Sequence, residues 1–159
     1  MVPRAQRRTN MGLENGVVVR TKEKSELFQR VQSIYDGIKD PIELNEGSDR
    51  DFRYEYEVAY WCKAYGIRSY ILSIIRRNHD EKTDGKFDFV LTVEDLKDIQ
   101  WLIHQCAISK RYFDDQANSS FEYELMRPIL EQQVKSLEIL IEEKLKQGDN
   151  IKAIFYDSY

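Results

Sequence analysis

The chain has 159 residues, the size of one ordinary domain, and its 42% hydrophobic and 12% aromatic content excludes a disordered polymer. Charged residues make up 33%, and the longest nearly apolar stretch, Ile71-Leu72-Ser73-Ile74-Ile75, is too short for a bilayer, so no membrane span is expected. The net charge is −4, yet residues 1 to 24 hold six Arg or Lys against Glu14 and Glu23, which leaves −8 on the remainder; such a body repels a phosphate backbone and favours a protein partner.

Residues 1 to 24 read as a basic, mobile arm or short edge segment, with Arg4, Arg7, Arg8 and Arg20 spread ahead of any sustained period apart from Val17-Val18-Val19. No hydrophobic run follows the first basic residues, so no secretory signal is expected and the cytoplasm is the expected compartment; Met11 is an alternative to Met1 as the start. Residues 25 to 159 read as a single compact helical domain. Ser25 can cap a helix presenting Leu27, Val31, Ile34 and Ile38, which Asp40-Pro41 stops. Residues 52 to 58 alternate strictly and predict a strand with Glu55 and Glu57 in solvent.

From Ala59 the period becomes helical, with Tyr60, Ala64, Ile67, Ile71 and Ile74 on one stripe and Arg76 and Arg77 at its C-terminus, where cations suit the helix dipole. Phe87, Phe89 and Leu91 suggest a short strand. Thr92 then caps a helix with Glu94 and Asp95 in its first turn and Leu96, Ile99, Leu102, Ile103 and Cys106 buried. The last helix is placed near Pro128, with Leu130, Val134, Leu137, Ile141 and Leu145 inward, and residues 151 to 156 form a strand expected to pair with 52 to 58. The fold class is α+β, predominantly α-helical, with about four main helices and a small antiparallel sheet.

His79, His104, Cys62 and Cys106 lack the spacing of a metal site, since His104 and Cys106 point to different helix faces and no Cys-x-x-Cys pair exists. Lys82 and Lys86 interrupt the acidic positions of the Asp80 to Asp88 stretch, so no calcium loop fits. P-loop, dinucleotide-binding turn and nucleophile elbow are all missing, and the sequence implies no cofactor and no catalytic residues. The sharpest pattern runs from Tyr60 to Tyr70, where aromatics lie beside cations at a strand-to-helix junction. Tyr60, Trp61, Lys63 and Arg68 are the candidate partner-binding residues, because Trp, Tyr and Arg dominate binding hot spots; core packing of Trp61 is the competing reading.

This stretch resembles the Tyr-Trp-Arg-Lys-Ala-Asn-x-Ile-His-x-Trp-Phe signature of small bacteriophage-encoded proteins without a settled activity. Tyr60, Trp61, Lys63, Ala64 and Ile67 match, whereas Cys62, Tyr65, Arg68 and Tyr70 replace the signature's Arg, Asn, His and Trp. Val93-Glu94-Asp95-Leu96 and the aromatic tail Phe155-Tyr156-Asp157-Ser158-Tyr159 extend the likeness over residues 54 to 159. The resemblance implies a phage origin and a similar fold, and any site built on the replaced polar positions is lost or rebuilt here. The expected function is that of a non-enzymatic accessory protein binding a host protein, for instance to block an antiviral defence. The alternatives are a nucleic-acid-binding accessory protein using Arg4, Arg7, Arg8 and Arg20, and an enzyme of unrecognised class.

Overall fold

Three consecutive valines carry so much β-branched bulk that they suit a strand buried on both faces, where the usual alternation disappears. The computed structural model describes residues 14 to 23, 26 to 35, 38 to 44, 51 to 62, 64 to 80, 88 to 117 and 122 to 158, and in it Val17, Val18 and Val19 are fully buried. The elements in chain order are β1 (Glu14–Thr21), α1 (Glu26–Gln32), β2 (Ile42–Glu43), β3 (Tyr54–Cys62), α2 (Tyr65–His79), β4 (Asp88–Leu91), α3 (Val93–Ile108), α4 (Lys110–Ala117), α5 (Tyr123–Gln147), one 3-10 turn (Gly148–Asn150) and β5 (Ile151–Ser158). The five strands form one antiparallel sheet in the order β2-β3-β1-β5-β4. With five helices among the described residues, the fold is α+β and predominantly helical, as expected.

Two expectations are corrected by β1. Residues 14 to 21 are the central strand rather than part of a mobile arm, and β3 and β5 each pair with β1 instead of with each other. The physical reason is burial on both faces, which removes the period-two pattern by which a strand is recognised. Arg4, Arg7 and Arg8 lie outside the described residues.

The helices supply one side of the main core. Val17, Val19, Tyr56, Val58, Trp61, Ala153 and Phe155 from the sheet meet Leu27, Ile67, Ile71, Leu102, Leu130 and Leu137 from the helices. Val18, Ile154 and Tyr156 form a second, separate apolar cluster on the other face, without a helical residue in it. Each fully buried side chain of this size contributes about 1.5–3 kcal/mol relative to an exposed one.

At β3 the register slips: Val17 faces Ala59 but Val18 faces Glu57, so Val58 is the extra residue of a bulge. The strand runs on through Tyr60 and Trp61 to Cys62, where a helix had been expected from Ala59, and the helical stripe holds only from Ala64 onward. Glu55 and Glu57 do not face solvent; they are 0% and 7% exposed on the sheet's second face, where Arg20 Nε lies 3.0 Å from Glu55 Oε1 and the Tyr156 hydroxyl donates to Glu57. Alternation places both acids on one face correctly, but that face is itself buried. In α5, Pro128 lies inside the helix rather than at its start, because Tyr123 to Arg127 already form its first turns. Among the described residues no helix is long and apolar enough to cross a membrane.

Candidate functional site: a cleft at the open edge of β3

β2 pairs β3 only through Ile42 with Glu55 and Glu43 with Tyr54. From Tyr56 onward the described sheet gives β3 a neighbour, β1, on one side only, and an open strand edge presents carbonyl groups that need donors. α5 meets that need with side chains. Ser136 Oγ donates to the Val58 carbonyl at 3.0 Å, and Gln133 Nε2 donates to the Tyr60 carbonyl at 3.1 Å. The same amide turns its oxygen to Trp61, whose Nε1 donates to Gln133 Oε1 at 3.0 Å. Gln133 and Ser136 are fully buried, so each of these bonds replaces water that cannot reach the site.

Beside this pinned edge lies a cleft of about 630 Å³. Its walls come from five parts of the chain: Tyr60, Trp61 and Cys62 at the end of β3, Ala64 and Ile67 at the start of α2, Phe113 on α4, Met126, Pro128 and Ile129 on α5, and Tyr35 after α1. Lys39, Glu57 and Gln132 complete the lining. Pro128 suits this place, since its missing N–H leaves one helix carbonyl unbonded near the first turns and its ring adds apolar surface to the wall. Of its apolar lining, Ile129 is 38% exposed and open to solvent.

Of the expected partner-binding residues, the structure brings Tyr60 and Trp61 to the cleft. Tyr60 is half-buried and its hydroxyl donates to Glu14 Oε1 at 2.9 Å, while Trp61 is 2% exposed and forms wall and core at once. Arg68 is placed elsewhere: it clamps Asp157 of β5 through two bonds of 2.8 Å, with Asn15 donating to the same carboxylate. It is a structural cation of the fold and is not part of the cleft lining. Lys63 lies outside the described residues. Arg20, expected in a nucleic-acid arm, is buried against Glu55 and cannot reach a phosphate without breaking that pair.

Sequence reading missed Tyr35, Phe113 and the α5 residues of the cleft. One signal was present: Gln133 and Ser136 sit at helical spacing among Leu130, Leu137 and Leu140, and polar side chains on a buried helix face require partners. Neither cysteine is bonded to another, and burial pushes the Cys106 thiol up to about 12, which leaves it inert as a nucleophile.

A second polar cluster joins α2 to α3. Thr92 and Asp95 form a reciprocal capping box, and the buried Asp95 carboxylate also takes Asn78 Nδ2 at 2.8 Å and His79 Nε2 at 2.6 Å. Burial alone would raise its pKa, but the Thr92 amide, Asn78 and His79 together outweigh that and hold it below the usual carboxylate value. Asp95 at the N-terminus of α3 carries the sign that the helix dipole favours and is bonded to Asn78 and His79 at the end of α2, so this cluster is a staple between two helices. A third feature is Trp101, half-exposed and packed against Tyr70 and Tyr112. Neither protein-family models, nor curated proteins, nor solved structures match this chain.

Proposed function

We propose that the protein acts by stoichiometric binding, taking an apolar segment of a partner protein into the cleft beside Tyr60 and Trp61. The observation that carries this reading is the cleft's construction, with apolar walls on four elements and a partly exposed Ile129 among them. Large side chains anchored in such hollows supply most of the energy of protein interfaces. The polar atoms beneath the cleft already bond to one another, so an apolar guest displaces water without leaving them unpaired. The resemblance of residues 60 to 70 to a phage-protein signature supports placing this activity in an infected host's cytoplasm, where blocking an antiviral defence protein is the role proposed.

The test is a tagged pull-down from host lysate, with and without nuclease, comparing the wild type with an Ile129→Glu variant. The Ile129 side chain is exposed, so the melting curve should stay within about 0.5 kcal/mol of wild type. The expected result is a nuclease-resistant partner that the wild type retains and the variant loses. A partner held equally by both chains, or held only while nucleic acid is intact, overturns the proposal.

A further inference from the structure

Among the described residues, the lining of the cleft contains one cation, and its setting points to the chemistry of the guest. Lys39 is exposed at the mouth and takes part in no ion pair or hydrogen bond among the described residues. The one acid among the described lining residues, Glu57, is buried, and its carboxylate accepts the Tyr156 hydroxyl; Tyr156 belongs to the cluster on the sheet's opposite face, so that charge is engaged on that face. The remaining lining beside Lys39 is apolar or aromatic apart from Gln132 and Cys62. A guest that buries an apolar body there brings whatever charge adjoins that body to within reach of an unengaged ammonium, and a positive charge at that place would be repelled.

We infer that the cleft selects a partner segment in which a large apolar side chain is followed closely by an acidic group. This inference rests on the binding reading above and specifies its partner: Ile67, Phe113, Met126 and Ile129 hold the apolar anchor, and Lys39 reads the neighbouring carboxylate. Lys39 acts as a specificity residue rather than as the source of affinity, since an exposed ion pair changes binding only a few-fold.

Two fluorescent probes separate the two halves of the claim. 8-Anilinonaphthalene-1-sulfonate carries an anion on an apolar body, and N-phenyl-1-naphthylamine is the same body without the charge. Both are titrated into the full chain, into Lys39→Glu, into Lys39→Arg and into Ala64→Trp, which fills the cleft. The inference expects Ala64→Trp to abolish binding of both probes. It expects Lys39→Glu to weaken the sulfonate about fivefold while changing the neutral probe less than about twofold, with Lys39→Arg restoring wild-type behaviour and added salt shrinking the difference. If the sulfonate is unaffected by Lys39→Glu, or if both probes weaken equally, the anion inference is overturned while the cleft stands. If neither probe binds, or if Ala64→Trp leaves both bound in a chain of unchanged melting temperature, the cleft reading itself fails and takes the inference with it.

Discussion

The buried Asp95 carboxylate is bonded to the Thr92 amide, Asn78 and His79, and its protonation is therefore visible in stability. Its folded pKa is held below the ordinary value, so folding favours the ionised form: the stabilisation is present above the unfolded carboxyl range and disappears as pH falls from about 4 through the lower folded value. Urea midpoints taken between about pH 6 and pH 2 should drop more steeply for the wild type than for Asp95→Asn, which has no such proton to take up. Parallel curves would show that the staple contributes nothing. Asp95→Ala removes the capping box and leaves Asn78 and His79 without their acceptor, for a cost of about 1–3 kcal/mol at neutral pH. Gly66 offers a second residue-scale test. A Cβ there would lie 1.8 Å from the Gln116 carbonyl oxygen, so α2 and α4 touch through backbone at this point. Gly66→Ala must push them apart, and since Ile67 and Phe113 on those helices line the cleft, the same change should lower stability by about 1–3 kcal/mol and alter probe binding.

At the scale of elements, α5 takes the part of a missing strand, and its two buried polar residues are the means. Gln133→Leu leaves the Trp61 indole N–H and the Tyr60 carbonyl without partners, and Ser136→Ala leaves the Val58 carbonyl bare; each should cost about 1–3 kcal/mol in urea denaturation. Only Gln133→Leu should also shift Trp61 emission, because Ser136 has no bond to the indole; an unchanged spectrum would mean that Gln133 does not set the ring's environment. Helix α5 was legible from its apolar stripe, and so were α3 with its Thr92 cap and the C-terminal strand. What escaped were features that depend on neighbours distant in sequence. Val17-Val18-Val19 shows no alternation because it is buried on both of its faces, and Glu55 and Glu57 look like solvent residues until Arg20 arrives from the adjacent β1 and Tyr156 from β5 beyond it. Tyr60 and Trp61 were singled out correctly as a junction, but continuous helical spacing hid that the strand runs to Cys62. The cleft itself was not legible, since its walls come together only when α2, α4 and α5 close over the edge of β3.

At the scale of the whole molecule, the two ends of the described chain are joined at the centre of the sheet, with Glu14 opposite Ser158 and Thr21 opposite Ile151. Contacts of such long sequence separation form late and slow folding, so the sheet cannot be completed until the last residues are available. Removing residues 151 to 159 strips β5 from between β1 and β4, exposes the valine strand as an unpaired edge, and takes Ile151, Ile154, Phe155 and Tyr156 out of the two apolar clusters. At about 1.5–3 kcal/mol for each large side chain, this loss consumes most of the roughly 5–15 kcal/mol that holds an ordinary domain together. Asp157→Ala in the full-length chain is the control, because it breaks only the clamp on Arg68 and Asn15 and should cost about 1–3 kcal/mol while the fold persists. The truncated chain should show no cooperative urea transition and should aggregate through the exposed edge. If it instead unfolds cooperatively with near-native helical circular dichroism, the helices form a core by themselves, and the sheet is an addition to that core rather than its foundation.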